Sequence, residues 1–431
     1  MSVCEIMAFW KDLKKRYDRS GGIEELLSEE AAYLGGVCIR GFDDERAFDQ
    51  FMDAASDGNE NAQFEVGYMY ENGRGVEQSC DEAVKWYRKA AEQGHVKALN
   101  ALTALAEQGN LSAQHTLADM HLEGKGVPGS EGDAARWFGR AAMQGHRKSF
   151  KQLERMAEEG SPDAMFRLGE VHLRGEGAYK SEETAARWLE RAAAQGQGDA
   201  LGLLTEMAEQ GSPDAAFRLG GMYLKGKGVG RSYEEAARYF GMAVGNGSAD
   251  AAYNLAVLYA EGLGVEQSYG KAAELYWKAA LKGRPIACHN LAILYHEGLG
   301  VEQSYRKAAE LYEKAVSLGD DSSVYNLALM YYEGTGVEQS FPKALELFDR
   351  AASHGDGMAM YNMGVMYELG LGVDVSYERA RDLYKKAMQN GERDRAEKAY
   401  TALVMEHPHL LEFRFRNGPG ARASSPRRNV M

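Results

Sequence analysis

Residues Ala251–Gly283 read AAYNLAVLYAEGLGVEQSYGKAAELYWKAALKG, and this stretch is enough to indicate the fold. Its first part places Ala251, Leu255 and Tyr259 at intervals of four residues, on one face of a helix. Gly262 follows, and the conformational freedom of glycine allows the helix to stop and the chain to turn. The stretch therefore begins with a predicted helix, called helix A, and a glycine-rich turn.

The second part of the stretch begins at Ser268, which precedes a further helical pattern. The hydroxyl group of a serine in this place can accept a hydrogen bond from a free N–H group of the next helix, which is the role of an N-cap. Small and apolar residues then recur at helical spacing, at Ala272, Leu275, Tyr276, Ala279 and Ala280. Because small residues allow two helices to approach closely, this second helix, helix B, is predicted to pack against its neighbours.

The same unit recurs along the chain. One glycine closes each copy, at Gly94, Gly145, Gly196, Gly247, Gly283, Gly319, Gly355 and Gly391. The first four of these glycines are 51 residues apart, and the later ones are 36 residues apart. Further glycines divide each longer interval into a 36-residue repeat and a 15-residue insert, at Gly109, Gly160 and Gly211. A fixed period of this length is typical of repeat proteins, so the sequence predicts an all-α fold, an α-α superhelical solenoid of helix pairs.

The repeat pattern divides the chain into six segments. The predicted segments are a basic N-terminal helix (1–22), a degenerate first repeat (23–58), repeats with three 15-residue single-helix inserts (59–247), regular 36-residue repeats (248–391), a C-terminal capping helix (392–411) and a basic, disordered tail (412–431). A capping helix is expected because the exposed end of a solenoid needs a polar outer face.

The composition limits the partners that the chain can take. The 431 residues carry a formal net charge of −14, which argues against binding to nucleic acid or to anionic membranes. The charge is compatible with partner proteins that have basic surfaces. With 45% hydrophobic residues, the chain has enough apolar material for a large buried core.

The cysteines and the apolar runs indicate a compartment. Cys4, Cys38, Cys80 and Cys288 have no paired or repeated spacing, so neither a disulfide framework nor a zinc site is predicted. No run approaches the roughly 18 consecutive apolar residues of a membrane-spanning helix. In the first 20 residues the basic side chains follow the apolar ones, which is the reverse of the order in a secretion signal. The sequence therefore favours a cytoplasmic protein.

The repeat pattern resembles that of a known family. Residues Ala62–Gly94, AQFEVGYMYENGRGVEQSCDEAVKWYRKAAEQG, resemble the Sel1-like repeat, a helical repeat similar to the tetratricopeptide repeat. The resemblance implies a right-handed superhelix that acts as an adaptor or scaffold in protein complexes, with members in protein degradation, cell-wall synthesis and bacterial signalling. Some secreted members carry a cysteine pair in each repeat, and this chain does not.

Candidate binding residues are those that recur in register without building the repeat. The fourth position of helix A is an asparagine in the four regular repeats, at Asn254, Asn290, Asn326 and Asn362. The third position of these repeats is aromatic or histidine, at Tyr253, His289, Tyr325 and Tyr361. Side-chain amides can donate to and accept from a peptide backbone, and rings supply apolar contact area. The alternative reading is structural: each amide bonds to a neighbouring repeat, and each ring packs between helices.

Two arginines occupy the fourth position in earlier repeats, Arg167 and Arg218. They are candidates for contact with an acidic partner. The segment Gly221–Gly228 has the glycine and lysine spacing of a phosphate-binding loop, but glycine stands where serine or threonine must bind the metal ion, and a helix precedes it. No histidine or cysteine cluster has the spacing of metal ligands. The sequence therefore predicts no catalytic residue, no metal and no cofactor.

Together these observations predict a non-catalytic scaffold that binds partner proteins or peptides on the concave face of the solenoid. Two other functions stay open. One is a hydrolase-like or small-molecule-binding activity, as credited to a few members of the family that the chain resembles. The other is a purely structural spacer.

Overall fold

The computed structural model describes residues 32–37, 40 and 43–410, and within these residues all regular structure is helical. The eight A helices are α2 (Glu60–Asn72), α5 (Leu111–Glu123), α8 (Pro162–Arg174), α11 (Pro213–Lys225), α13 (Ala249–Glu261), α15 (Pro285–Glu297), α17 (Ser322–Glu333) and α19 (Gly357–Leu369). The eight B helices are α3 (Cys80–Glu92), α6 (Glu131–Met143), α9 (Glu182–Ala193), α12 (Tyr233–Gly245), α14 (Tyr269–Leu281), α16 (Tyr305–Ser317), α18 (Phe341–Ser353) and α20 (Tyr377–Gln389).

Besides the helical residues 32–37, the described chain contains five further helices and one 3-10 helix. They are α1 (Asp44–Ser56), the inserted helices α4 (Val96–Glu107), α7 (Arg147–Glu158) and α10 (Gly198–Glu209), and α21 (Arg393–Glu406), which is followed by a short 3-10 helix, Pro408–Leu410. The prediction of an all-α fold built from repeated helix pairs is confirmed.

Local sequence signals account for the helix boundaries. The Ser268 hydroxyl accepts a hydrogen bond from the backbone N–H of Lys271, so it caps α14. Gly262 ends α13 with φ at 71°, a left-handed conformation that favours glycine. The second glycine of the turn has a different role. A Cβ atom on Gly300 would lie 2.3 Å from the backbone nitrogen of Gly270, so this position requires glycine for close contact with the preceding repeat.

Small residues at the helix contacts and one large side chain in most B helices build the core. Ala251 of α13 and Ala272 of α14 are fully buried. Fully buried rings from helix B recur in the same register in several repeats, at Tyr87, Phe138, Phe240, Phe348 and Tyr384. Since burial of one such ring contributes about 1.5–3 kcal/mol, the rings are a major source of the stability of each repeat.

The described residues form two compact units that divide between Asn246 and Gly247. The first unit contains α1 to α12, including the three inserted helices. The second contains α13 to α21, in which the repeats follow one another without inserts.

The inserted helices lie beside the repeats rather than between them. In the first unit, α4 packs against α3 and α5, yet α3 and α5 still contact each other. The same arrangement holds for α7 between α6 and α8, and for α10 between α9 and α11. The contact between helix B and the next helix A is therefore preserved at each insert.

The predicted end segments are described only in part. The basic N-terminal helix (1–22) and the basic tail (412–431) lie outside the described residues, and so does part of the degenerate first repeat. Helix α21 packs against α20, with Ala396, Leu403 and Val404 buried, and Leu410 of the 3-10 helix joins the same apolar cluster.

Candidate interaction surface

The recurring asparagines differ in their hydrogen bonds, although all four are half-buried. The amide of Asn362 donates to the Tyr325 hydroxyl at 3.2 Å. No hydrogen bond joins the side chain of Asn254 to another residue of the described chain. The sequence register alone does not separate these cases.

Asn290 and Asn326 each interact with a tyrosine hydroxyl in helix B of the preceding repeat. Burial raises the pKa of Tyr276 to about 12, and the nearby Asn290 amide acts in the opposite direction. Burial likewise raises the pKa of Tyr312 to about 12, again opposed by Asn326. These two amides therefore lie close to tyrosine hydroxyls of the preceding repeat.

The recurring rings at the third position pack against helix B of their own repeat. The ring centroids of Tyr253 and Tyr276 are 5.9 Å apart, and those of His289 and Tyr312 are 5.6 Å apart. The corresponding pairs in the last two repeats are Tyr325 with Phe348 at 5.8 Å and Tyr361 with Tyr384 at 5.7 Å. Each ring is half-buried, so one edge contributes to the core and the other is accessible.

The two arginines already have carboxylate partners. A guanidinium nitrogen of Arg167 lies 2.6 Å from Glu170 on the same helix. Arg218 of α11 reaches Glu190 of α9 at 2.5 Å and so joins two repeats. An acidic partner would have to compete with these ion pairs.

A third arginine, Arg284, lies over one of the recurring rings at the third position of helix A, although the repeat register did not single it out. The guanidinium carbon of Arg284 is 5.4 Å from the centre of the Tyr253 ring, and the side chain pairs with Asp250. The sequence signal was present: Arg284 directly precedes α15, and its side chain forms no capping hydrogen bond there. Asn254, Tyr253 and Arg284 thus bring an amide, a ring and a cation to the start of the second unit.

Two clusters of histidine, serine and carboxylate were also missed. Nδ1 of His289 lies 2.8 Å from the Ser323 hydroxyl, which donates to Asp320 at 2.5 Å. In the first unit, His115 contacts the Ser149 hydroxyl at 2.9 Å and lies 3.6 Å from Asp119.

These clusters resemble the residues of a nucleophilic site in type but not in accessibility. The exposed fraction of both serines is 0%, so neither hydroxyl can reach a substrate in this conformation. Both serines replace the alanine that the other copies carry at the same place, such as Ala287 for Ser323 and Ala98 for Ser149. Their contacts with histidine join α15 to α17 and α5 to α7, so each links two helices that are separated by one helix in the chain.

Residues 32–37, 40 and 43–410 offer neither a membrane-spanning helix nor a metal site. None of the helices there combines the length and the apolar composition needed to cross a bilayer. The same residues contain no group of three or more histidine, cysteine, aspartate or glutamate side chains placed to hold a metal ion.

The Sel1 repeat family model matches residues 61–95, 111–146, 162–197, 213–248, 249–283, 285–320, 322–356 and 357–392. The chain belongs to the Sel1 repeat family. The resemblance seen in Ala62–Gly94 is confirmed, and the eight matched repeats coincide with the eight helix pairs of the structure. In this Sel1 repeat protein the inserted helices α4, α7 and α10 fall outside the matched stretches.

Curated relatives match short parts of this Sel1 repeat protein. "DAP3-binding cell death enhancer 1" of Rattus norvegicus is 37% identical over 81 residues, which are 18% of this chain and 16% of that protein. "Chitin synthase regulator SKT5" of Saccharomyces cerevisiae is 42% identical over 60 residues, 14% of this chain and 9% of that protein. The matched part thus spans less than a fifth of the length of these relatives.

Solved structures match over longer stretches. One is a protective antigen of uropathogenic Escherichia coli strains with an SLR fold. Its sequence is 25% identical to this chain, the match covers 93% of this chain and 89% of that chain, and the TM-score is 0.42. Another is a Sel1 repeat protein from Oxalobacter formigenes. Its sequence is 26% identical to this chain, the match covers 57% of this chain and 90% of that chain, and the TM-score is 0.43.

Proposed function

We propose that this Sel1 repeat protein is a scaffold that binds a partner protein along the surface formed by its A helices. The observation that carries the proposal is the register of the helix pairs in the second unit, which presents an amide beside a half-buried ring in each of the four regular repeats. Repeat proteins bind partners on extended surfaces of this kind. The names of two relatives, one that binds DAP3 and one that regulates chitin synthase, support action through another protein.

The chemistry of the A-helix surface suits a polypeptide segment. The Asn254 amide is available to donate to and accept from a partner backbone, and the accessible edge of Tyr253 offers apolar contact. Asn290, Asn326 and Asn362 would reach the same partner by exchanging a tyrosine hydroxyl for a partner group. The net charge of −14 favours a partner with a basic surface.

The first test separates binding from stability with two matched variants. Asn254→Ala should leave thermal melting unchanged and weaken partner capture, because its amide bonds to no described side chain. Asn290→Ala should lower the free energy of unfolding by about 1 kcal/mol, since the Tyr276 hydroxyl loses a polar neighbour that lowers its pKa. Melting is followed by circular dichroism, and capture by affinity purification from the native lysate with the full chain.

The second test removes all four amides in one chain, with circular dichroism to show that the variant is folded. A discrete partner that the wild type captures and the variant loses supports the proposal. Equal capture by both proteins places the partner on another surface. A wild type that captures nothing above background contradicts the scaffold function itself.

A further inference from the structure

A groove of about 950 Å³ lies in the second unit between α14, α15 and α16. Its floor is apolar and buried, with Ala273, Leu291 and Leu311. Trp277 of α14 forms one wall and keeps 49% of its surface exposed. The groove is thus an apolar depression with a large indole ring open to solvent at its side.

Two residues that line the groove, Trp277 and Gly270, differ from the residues in the same register of the next two repeats. The next two repeats carry Glu313 and Asp349 in the register of Trp277. They carry Arg306 and Pro342 in the register of Gly270. Relative to the next two repeats, this repeat therefore adds an indole and lacks a side chain at the same groove. The repeat that ends at Gly145 shares the glycine, as Gly132, but has no indole in the register of Trp277.

The rim of the groove is more positive than negative. Three exposed lysines line it, Lys278, Lys307 and Lys314, of which Lys314 donates to the Ala280 carbonyl oxygen at 3.0 Å. Two exposed glutamates line it as well, Glu274 and Glu310, but Glu310 already accepts a hydrogen bond from Arg306 at 3.2 Å. In a chain with a net charge of −14, this local excess of lysine favours an acidic ligand.

We propose that this groove binds a peptide segment of a partner protein in which a large apolar side chain is flanked by carboxylates. The apolar side chain packs on Leu291 and Leu311 against the Trp277 ring, and the carboxylates lie near the lysines of the rim. The volume suits such an anchor, because ligand sites in proteins span roughly 300–1,000 Å³. Tryptophan is also among the residues that most often dominate binding energy at interfaces.

This proposal rests on the proposed scaffold function and assigns it a second surface and a ligand class. The A-helix surface suits a basic partner, whereas the groove suits an acidic peptide. The chain's own tail (412–431) is basic and would meet the lysines of the rim, which argues against it as the occupant.

The test measures fluorescence polarisation of three labelled hexapeptides with the full chain. The peptides are Glu-Glu-Leu-Phe-Glu-Glu, its neutral counterpart with four glutamines and its basic counterpart with four lysines. The acidic peptide should bind roughly tenfold or more tightly than the other two, and its affinity should fall as salt is added.

Matched variants locate the binding. Trp277→Glu introduces the residue that the next repeat carries, and it should lower the affinity for the acidic peptide at least about tenfold. Leu369 lies outside the groove and is 61% exposed, so Leu369→Glu should leave the affinity for the acidic peptide unchanged. Lys307 lies over Tyr295 at 5.0 Å, and Lys343 lies over Tyr331 in the same way at 4.9 Å one repeat later. Lys307→Glu should therefore weaken binding while Lys343→Glu leaves it unchanged.

Three results would overturn the proposal. They are equal affinity for the three peptides, an affinity that Trp277→Glu does not change, and a wild-type dimer that Trp277→Glu converts to a monomer in sedimentation velocity. The last result would assign the groove to a second copy of the chain. None of the four asparagines lines the groove. Capture through the A helices by a wild type that binds no peptide therefore contradicts this inference alone. If the acidic peptide binds in a way that depends on Trp277 but no partner protein is captured from lysate, only the proposed binding on the A-helix surface is contradicted.

Discussion

At the level of single side chains, one repeated position serves different purposes according to what it faces. Asn290 and Asn326 meet the hydroxyls of Tyr276 and Tyr312, whereas Phe348 in the same register has no hydroxyl and Asn362 turns to Tyr325. The sequence predicts that these asparagines recur on one face of helix A. Periodicity does not predict the partner of each amide, because that depends on a single oxygen atom in another helix.

The buried histidine of the second unit gives a pH-dependent prediction. Burial lowers the pKa of His289 below its ordinary value of 6.5, and the nearby Asp320 opposes this effect only in part. The neutral imidazole therefore contributes stability above pH 6.5 that is lost as the pH falls through the folded-state pKa, because the unfolded chain binds the proton more readily. Chemical denaturation at pH 8 and pH 5.5 should show this loss.

The matched control replaces the cluster with the residues that neighbouring repeats carry. The double variant His289→Tyr and Ser323→Ala removes the titrating group together with its hydrogen-bond partner. Its free energy of unfolding should fall less between pH 8 and pH 5.5 than that of the wild type. An identical pH dependence in the two proteins would assign the effect to other groups.

At the level of helices, the caps were predictable from the sequence and the position of the inserts was not. Serine before helix B and glycine after helix A are local signals, so the boundaries of α13 and α14 follow from residues 251–283 alone. The 15-residue spacing gives the length of an insert. It does not show that α3 and α5 keep their contact beside α4, because that contact depends on packing between separate repeats.

The caps also differ in a way that can be measured. The Ser268 hydroxyl accepts a hydrogen bond from the N–H of Lys271, whereas Ser340, before a helix with Pro342 in its first turn, makes no such bond. Ser268→Ala should lower the free energy of unfolding by about 1 kcal/mol, and Ser340→Ala should change it by much less. Urea unfolding of the two variants in parallel checks this, and equal losses would contradict it.

For the chain as a whole, stability should be local, because each helix contacts only near neighbours in sequence. Phe348 is fully buried in α18, and Phe348→Ala should cost about 3–5 kcal/mol in its own repeat. Hydrogen exchange should accelerate in α17, α18 and α19 while α3 to α6 keep the protection of the wild type. Uniform acceleration along the chain would indicate a single cooperative unit.

The inserted helices bear on how such a chain changes length over evolutionary time. A helix that joins a stack without separating the two helices beside it takes no existing partner away, so its gain or loss leaves the older contacts in place. A coding segment for α4, α7 or α10 can therefore be acquired without breaking the contact between the two flanking helices, whereas loss of α7 would also remove the Ser149 hydroxyl that His115 contacts. The same freedom makes these three positions suitable for grafting a foreign helix, such as an epitope or a second binding module, into an otherwise unaltered protein.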